Sequence, residues 1–170
     1  CKVFNNNKIK SPIILISSKK LLNLQMKKLG FKNKIRLINS SKLKFYKLDN
    51  KTINLIDVNY NTDKAFEKIS SKSNVFIKNS FELAFNTIRN NNISKFINGP
   101  ISKKSFLKKK FLGITEYISE KFLTKNTCML IFNKNLSVCP VTTHLPLKLV
   151  TKEINAKNIS QKVFLINNFF

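Results

Sequence analysis

The alternation of apolar and polar positions along the chain predicts a strand, a helix and a second strand in its first forty residues. Ser11 to Ser17 (SPIILIS) is a short apolar run between polar flanks, the form of a strand buried on both faces. Ser18 through Leu29 places Leu21, Leu22, Met26 and Leu29 near helical spacing, and Gly30 follows as a residue suited to end a helix in the left-handed region. Ile35 to Ile38 reads as the next strand, and this alternation argues for an α/β sheet. After an irregular stretch from Ser40 to Lys51, Asn54 to Val58 predicts a further strand. Thr62 to Ser70 predicts a short helix capped by Thr62, and Asn74 to Asn91 carries the longest helical period. Lys95 to Asn98 reads as a short strand running into Gly99-Pro100. Thr115 is suited to cap a helix over Glu116 to Phe122. Cys128 to Phe132 and Leu136 to Val141 read as two strands of a tight hairpin, and a helix is expected from Asn158 onward. With no internal repeat and no flexible linker, residues 1–170 are expected to form a single domain or part of one.

Composition changes this picture in one respect. The chain holds 32 Lys+Arg against 8 Asp+Glu, a formal charge of +24, which by itself suggests a nucleic-acid binder. Only Arg36 and Arg89 are arginines, however, although the planar guanidinium is the better partner for phosphate. Lys, Asn, Ile and Phe together fill 89 of the 170 positions, a bias expected of codons rich in A and T rather than of selection for a basic surface. A Lys-rich patch at Lys103, Lys104, Lys108, Lys109 and Lys110 is the form a nucleic-acid-binding module would take, and it lacks interleaved Arg. A hydrophobic share of 42% argues against whole-chain disorder, and no apolar run reaches the roughly 20 residues of a membrane span. Cys1, Cys128 and Cys139 are odd in number and lack CxxC spacing, which fits a reducing cytoplasm, with Cys128 and Cys139 expected to be buried and inert.

Three spots carry chemical content. In Asn98-Gly99-Pro100-Ile101-Ser102-Lys103, a turn presents Lys103 to an anion; an ordinary turn with a solvated Lys is the commoner meaning of such a hexapeptide. Gly113-Ile114-Thr115-Glu116 offers backbone N–H groups and a hydroxyl at a helix start, suited to phosphate, although Thr at such a place most often only caps. His144 is the sole His, in Val141-Thr142-Thr143-His144-Leu145-Pro146-Leu147, placed to ligate a metal or accept a proton. A lone His is more often a hydrogen-bonded loop residue, and one His does not make a zinc site. The three glycines, Gly30, Gly99 and Gly113, lie too far apart in sequence to build a GxGxxG loop, a Walker A loop or a GxSxG elbow.

Taken in order, Gly99-Pro100-Ile101-x-Lys103, Gly113-x-Thr115-Glu116 and the Val141 to Leu147 segment resemble the 4-hydroxythreonine-4-phosphate dehydrogenases of vitamin B6 biosynthesis. The resemblance implies a three-layer α/β fold similar to isocitrate and isopropylmalate dehydrogenases, with helices flanking the sheet. It implies NAD-dependent oxidation of 4-phosphooxy-L-threonine and decarboxylation of the product to 3-amino-2-oxopropyl phosphate, in a cytoplasmic homodimer. His144 matches the first of three metal-binding His residues of a divalent metal (zinc, magnesium or cobalt), and Thr115 matches a Thr at the substrate phosphate. Lys103 joins them as a candidate substrate contact. Ile114 stands where family members commonly carry a His, so that contact is absent; a related dehydrogenase for another phosphorylated hydroxy acid is the alternative. The family chain is about twice this long, with the other metal ligands and much of the NAD site in its C-terminal half. The resemblance therefore implies a central piece lacking both ends and inactive alone, with no specific nucleic-acid partner and no membrane.

Overall fold

The computed structural model describes residues 1–2, 4, 9–108, 110–124 and 126–170. They fall into two compact units, Cys1–Phe106 and Leu107–Phe170. The first contains β1 (Ile14–Ser17), α1 (Lys19–Leu29), β2 (Ile35–Leu37), a 3-10 turn (Ser40–Phe45), β3 (Ile53–Asp57), α2 (Ser71–Asn91) and α3 (Lys103–Phe106). All strand pairs are parallel, in the order β1-β3-β2, with Ile14 opposite Asn54 on one side and Ile35 opposite Ile53 on the other. This is an α/β architecture with a parallel sheet and flanking helices. The expected strand and helix at the start of the chain are present, but β1 is half-buried rather than covered on both faces.

Local chemistry explains α1. The Ser18 hydroxyl accepts from the Leu21 N–H, and Gly30 ends the helix at φ 72°, where the Phe31 N–H reaches back to the Met26 carbonyl at 2.9 Å. Being the middle strand, β3 is the most buried, with Ile53, Asn54 and Leu55 wholly inaccessible. Asn54 is tolerated there because every polar atom is matched. Its Nδ2 donates to the carbonyls of Ile13 at 3.0 Å and Asp49 at 2.7 Å, and its Oδ1 accepts from Arg36 Nε at 3.0 Å and Nη2 at 2.5 Å. Ile38, Leu43 and Ile56 form a core on which Ile14, Ile16, Tyr46 and Leu83 pack.

Two further expectations in this unit fail for identifiable reasons. No helix forms over Thr62 to Ser70. The buried Thr62 hydroxyl accepts from the Lys64 N–H and donates to Glu67 Oε1, while Tyr60 donates to Glu67 Oε2, so side-chain bonds set the local path instead of a helical ladder. Tyr60 also packs on Phe76 of α2, with ring centroids 4.8 Å apart. The helix begins instead at a capping box, Ser70 with Ser73, three residues before the apolar period becomes visible. Nor is Lys95 to Asn98 a strand. Phe96 joins Phe81 and Phe85 in an aromatic cluster with centroids 5.9 Å away, whereas Ile97 is 90% exposed. Gly99-Pro100 therefore follows a coil.

The Glu67 carboxyl is held below its ordinary value of 4.5, chiefly by the Thr62 hydroxyl and then by the Tyr60 hydroxyl. A depressed folded-state value gives stability that is present above pH 4.5 and is lost as pH falls through the folded value. Glu67→Gln is expected to lower the melting temperature at neutral pH, with the difference from wild type closing in acid; thermal melts across that range check it.

The second unit contains α4 (Ile114–Lys121), α5 (Leu147–Glu153) and α6 (Ala156–Phe169). The two hairpin strands reduce to one antiparallel pair, Ile131 with Val138, joined by N–H to carbonyl bonds of 2.8 and 3.0 Å. Asn133 and Ser137 close the turn through their own polar bonds. The sequence reading misses α5, which starts directly after Pro146, and α6 begins earlier than expected because Asn155 caps it through the Asn158 N–H at 2.9 Å. Among the described residues no helix is long and apolar enough to cross a membrane.

Candidate active site

The start of α4 is set by Gly113, not by Thr115. Gly113 is the N-cap in extended conformation, and no side chain caps the helix; Thr115 is the second helical residue, half-buried, so the expected capping role is corrected. Ile114 is the first helical residue, also half-buried, and brings no polar group. Glu116 lies in the first turn, where the positive end of the helix dipole favours a carboxylate.

Gly113 is buried, and what surrounds it explains why a side chain is absent there. A β-carbon on it would stand 2.8 Å from Glu116 Oε2 and 3.7 Å from His144 Nε2, so the carboxylate and the imidazole lie within about 6.5 Å of each other. Glu116 Oε2 is buried with no hydrogen-bond partner among the described residues. Buried polar atoms are nearly always satisfied, so an oxygen in this position is suited to a donor or a cation from outside the chain. His144 itself is exposed and sits at φ 59°, in the left-handed region, a conformation that costs a residue bearing a β-carbon on the order of 1–3 kcal/mol.

Two of the three motifs are thus brought together: the Gly113 to Glu116 helix start and His144, separated by some 30 residues of sequence. Lys103 opens α3 in the other compact unit and is exposed. In the Lys-rich patch, Lys104, Lys108 and Lys110 are likewise exposed, and Lys109 lies outside the described residues. The Gly113-Ile114-Thr115-Glu116 motif does not by itself mark a role for Glu116; the glycine three residues earlier is the signal in the sequence that a side chain folds back there.

A second feature was not anticipated. At the carboxyl ends of β2 and β3 a shallow cleft of about 360 Å³ is lined by Ile38, Asn39, Ser40 and Asp57 among others. Ligands of open α/β sheets bind at such an edge. The Asp57 carboxylate is already engaged there, accepting from the Lys19 N–H at 2.7 Å.

For a metal, His144 and Glu116 are donors of suitable chemistry, a neutral imidazole nitrogen and a carboxylate oxygen. Among the described residues no group of three or more His, Cys, Asp or Glu is placed to hold an ion.

Residues 8–170 match the family described as pyridoxal phosphate biosynthetic protein PdxA. A 4-hydroxythreonine-4-phosphate dehydrogenase of Sulfurihydrogenibium sp. (strain YO3AOP1) is 32% identical over 120 residues, which is 69% of this chain and 36% of that protein. One from Wigglesworthia glossinidia brevipalpis is 26% identical over 162 residues, 94% of this chain and 48% of the relative. Among solved structures, a 4-hydroxythreonine-4-phosphate dehydrogenase from Burkholderia phymatum superposes with a TM-score of 0.79 at 20% identity, over 95% of this chain and 50% of that one. Another, from Klebsiella pneumoniae, gives 0.78 at 15% identity, over 96% and 50%. These structures share the fold. The chain spans about half the length, or less, of the relatives it matches.

Proposed function

Because the chain belongs to the pyridoxal phosphate biosynthetic protein PdxA family, we propose that it supplies part of the active site of an NAD-dependent 4-hydroxythreonine-4-phosphate dehydrogenase acting in pyridoxal phosphate synthesis. In that reaction the substrate's secondary alcohol loses a proton and passes a hydride to NAD. The resulting β-keto acid then releases CO2 and leaves 3-amino-2-oxopropyl phosphate.

The observation that carries this reading is the convergence of Glu116 and His144 on Gly113 at the head of α4. The N-terminal N–H groups of α4 and the Thr115 hydroxyl receive the phosphate, which the helix dipole favours. His144 would contribute one nitrogen ligand to a divalent metal, with further ligands needed besides it. Such a metal, when bound, would supply Lewis-acid polarisation of the alcohol oxygen and the developing carbonyl. Glu116, whose buried Oε2 has no partner among the described residues, accepts a proton from the substrate. The 170 residues alone do not turn over, since one His falls short of the three protein ligands usual at a catalytic site. Homodimeric assembly in the cytoplasm is part of the proposal.

The test is a chimera in which the matching segment of the Wigglesworthia relative is replaced by this chain. With 4-phosphooxy-threonine, NAD and a divalent metal, the chimera is expected to form NADH and the isolated chain to form none. A chimera that folds, by circular dichroism, yet forms no NADH would overturn the assignment. Ile114 favours one second reading, altered substrate choice, because a branched alkyl group there cannot donate a hydrogen bond to phosphate. If other phosphorylated hydroxy acids turn over faster, and Ile114→His restores preference for 4-phosphooxy-threonine, that second reading holds.

A further inference from the structure

The second unit corrects one expectation, since Cys128 and Cys139 are half-exposed rather than buried, and it poses a question at position 113. Neither of the usual reasons for a glycine applies there. Its backbone is extended, at φ −156° and ψ −178°, a conformation open to residues that carry a β-carbon. As the N-cap of α4 it supplies no side-chain hydrogen bond, where Ser, Thr, Asp or Asn would supply one.

What remains is space. The three atoms a β-carbon would meet first are Glu116 Oε2 at 2.8 Å, His144 Nε2 at 3.7 Å and Glu116 Cδ at 3.8 Å. The two longer distances are ordinary contacts, and only the first is too close. None of the three atoms is backbone, so what has to move is the free end of a flexible side chain. Moving it costs the fold little, because Glu116 Oε2 is buried without a partner among the described residues and regains water once displaced. A β-carbon at position 113 is thus compatible with the chain path and incompatible with the carboxylate in its present place.

We propose that Gly113 is a positioning residue: by lacking a side chain it leaves the Glu116 carboxylate room to fold back over the start of its own helix, onto the same point that His144 Nε2 approaches. The inference rests on the proton-accepting role given to Glu116 above, and adds that the size of residue 113 decides whether Glu116 can fill it.

The first measurement is made on the chain itself. Carboxyl groups are coupled to glycine ethyl ester by a water-soluble carbodiimide and the products read by mass spectrometry, with Glu120, exposed on the same helix, as internal reference. Glu116 is expected to couple severalfold more slowly than Glu120 in wild type and at a comparable rate in Gly113→Ala. Adding Glu116→Asp, whose side chain is one methylene shorter, is expected to restore slow coupling at position 116. Gly113→Ser brings the same β-carbon with a hydroxyl suited to an N-cap, and is expected to expose Glu116 likewise, which separates displacement from fraying of the helix start. Coupling of Glu116 that is as slow in both single variants as in wild type overturns the proposal.

The second measurement uses the chimera. Gly113→Ala is expected to lower kcat about a hundredfold with little change in KM, and Glu116→Asp in the same chain to recover part of that loss. Faster coupling of Glu116 with kcat unchanged also overturns the positioning role. A chimera that is inactive without any substitution removes the proposed reaction instead, and the coupling rates then decide the placing of Glu116 by themselves.

Discussion

Replacing His144 by Gly in the chimera is expected to lower kcat about a thousandfold, some 4 kcal/mol in barrier, while leaving stability within about 1 kcal/mol. Gly is the informative substitution because His144 sits at φ 59°, where Gly is at ease and His is strained. If the residue were only a loop His, relieving that strain would be neutral or helpful, and NADH formation would survive. Melting curves and steady-state rates measured side by side separate the two roles. A variant that melts like wild type and still turns over at a comparable rate would remove His144 from the machinery.

The second large effect lies in the sheet. Asn54→Leu is expected to destabilise the chain by about 3 kcal/mol, a large share of the stability of a small domain. The Leu side chain fits a buried strand position in size, but it strands the carbonyls of Ile13 and Asp49 and leaves the Arg36 guanidinium without its principal acceptor. Asn54→Asp distinguishes the two halves of this network. It keeps an acceptor for Arg36 but turns an oxygen toward the two carbonyls, so it too is destabilising at neutral pH. Chemical denaturation with constant slope is the check. Asn54→Asp as stable as wild type would show that the Arg36 contact alone matters.

How far the sequence disclosed these features depended on whether their causes were local. Helix α1 was legible from Ser18 to Gly30 because both caps are built from neighbours in sequence. β3 was legible as an apolar run, although Asn54 within it reads as a polar interruption until its partners at Ile13, Arg36 and Asp49 are known. The segment from Thr62 to Ser70 reads as a helix because helical spacing cannot show that Thr62 and Tyr60 both donate to Glu67, one to each carboxylate oxygen. Phe96 was assigned to a strand because its true partners, Phe81 and Phe85, lie on a helix more than ten residues earlier. At the site, His144 announced itself by being alone of its kind and Thr115 by motif. The return of the Glu116 carboxylate onto Gly113 is a side-chain conformation, and no spacing rule encodes it.

The strand order carries a kinetic consequence. β3 lies between β1 and β2 yet is the last of the three in sequence, and the two edge strands share no ladder with each other. As the chain emerges during synthesis, β1 and β2 are both made before β3, the strand with which each pairs among the described residues, and both ladders wait on Ile53–Asp57. Sheet formation is then a single late step that closes two non-local ladders at once, behind a loop-closure barrier that local helices do not face. Until that moment the ladders of β1 and β2 to β3 are unmade, and apolar strand edges awaiting a partner favour aggregation.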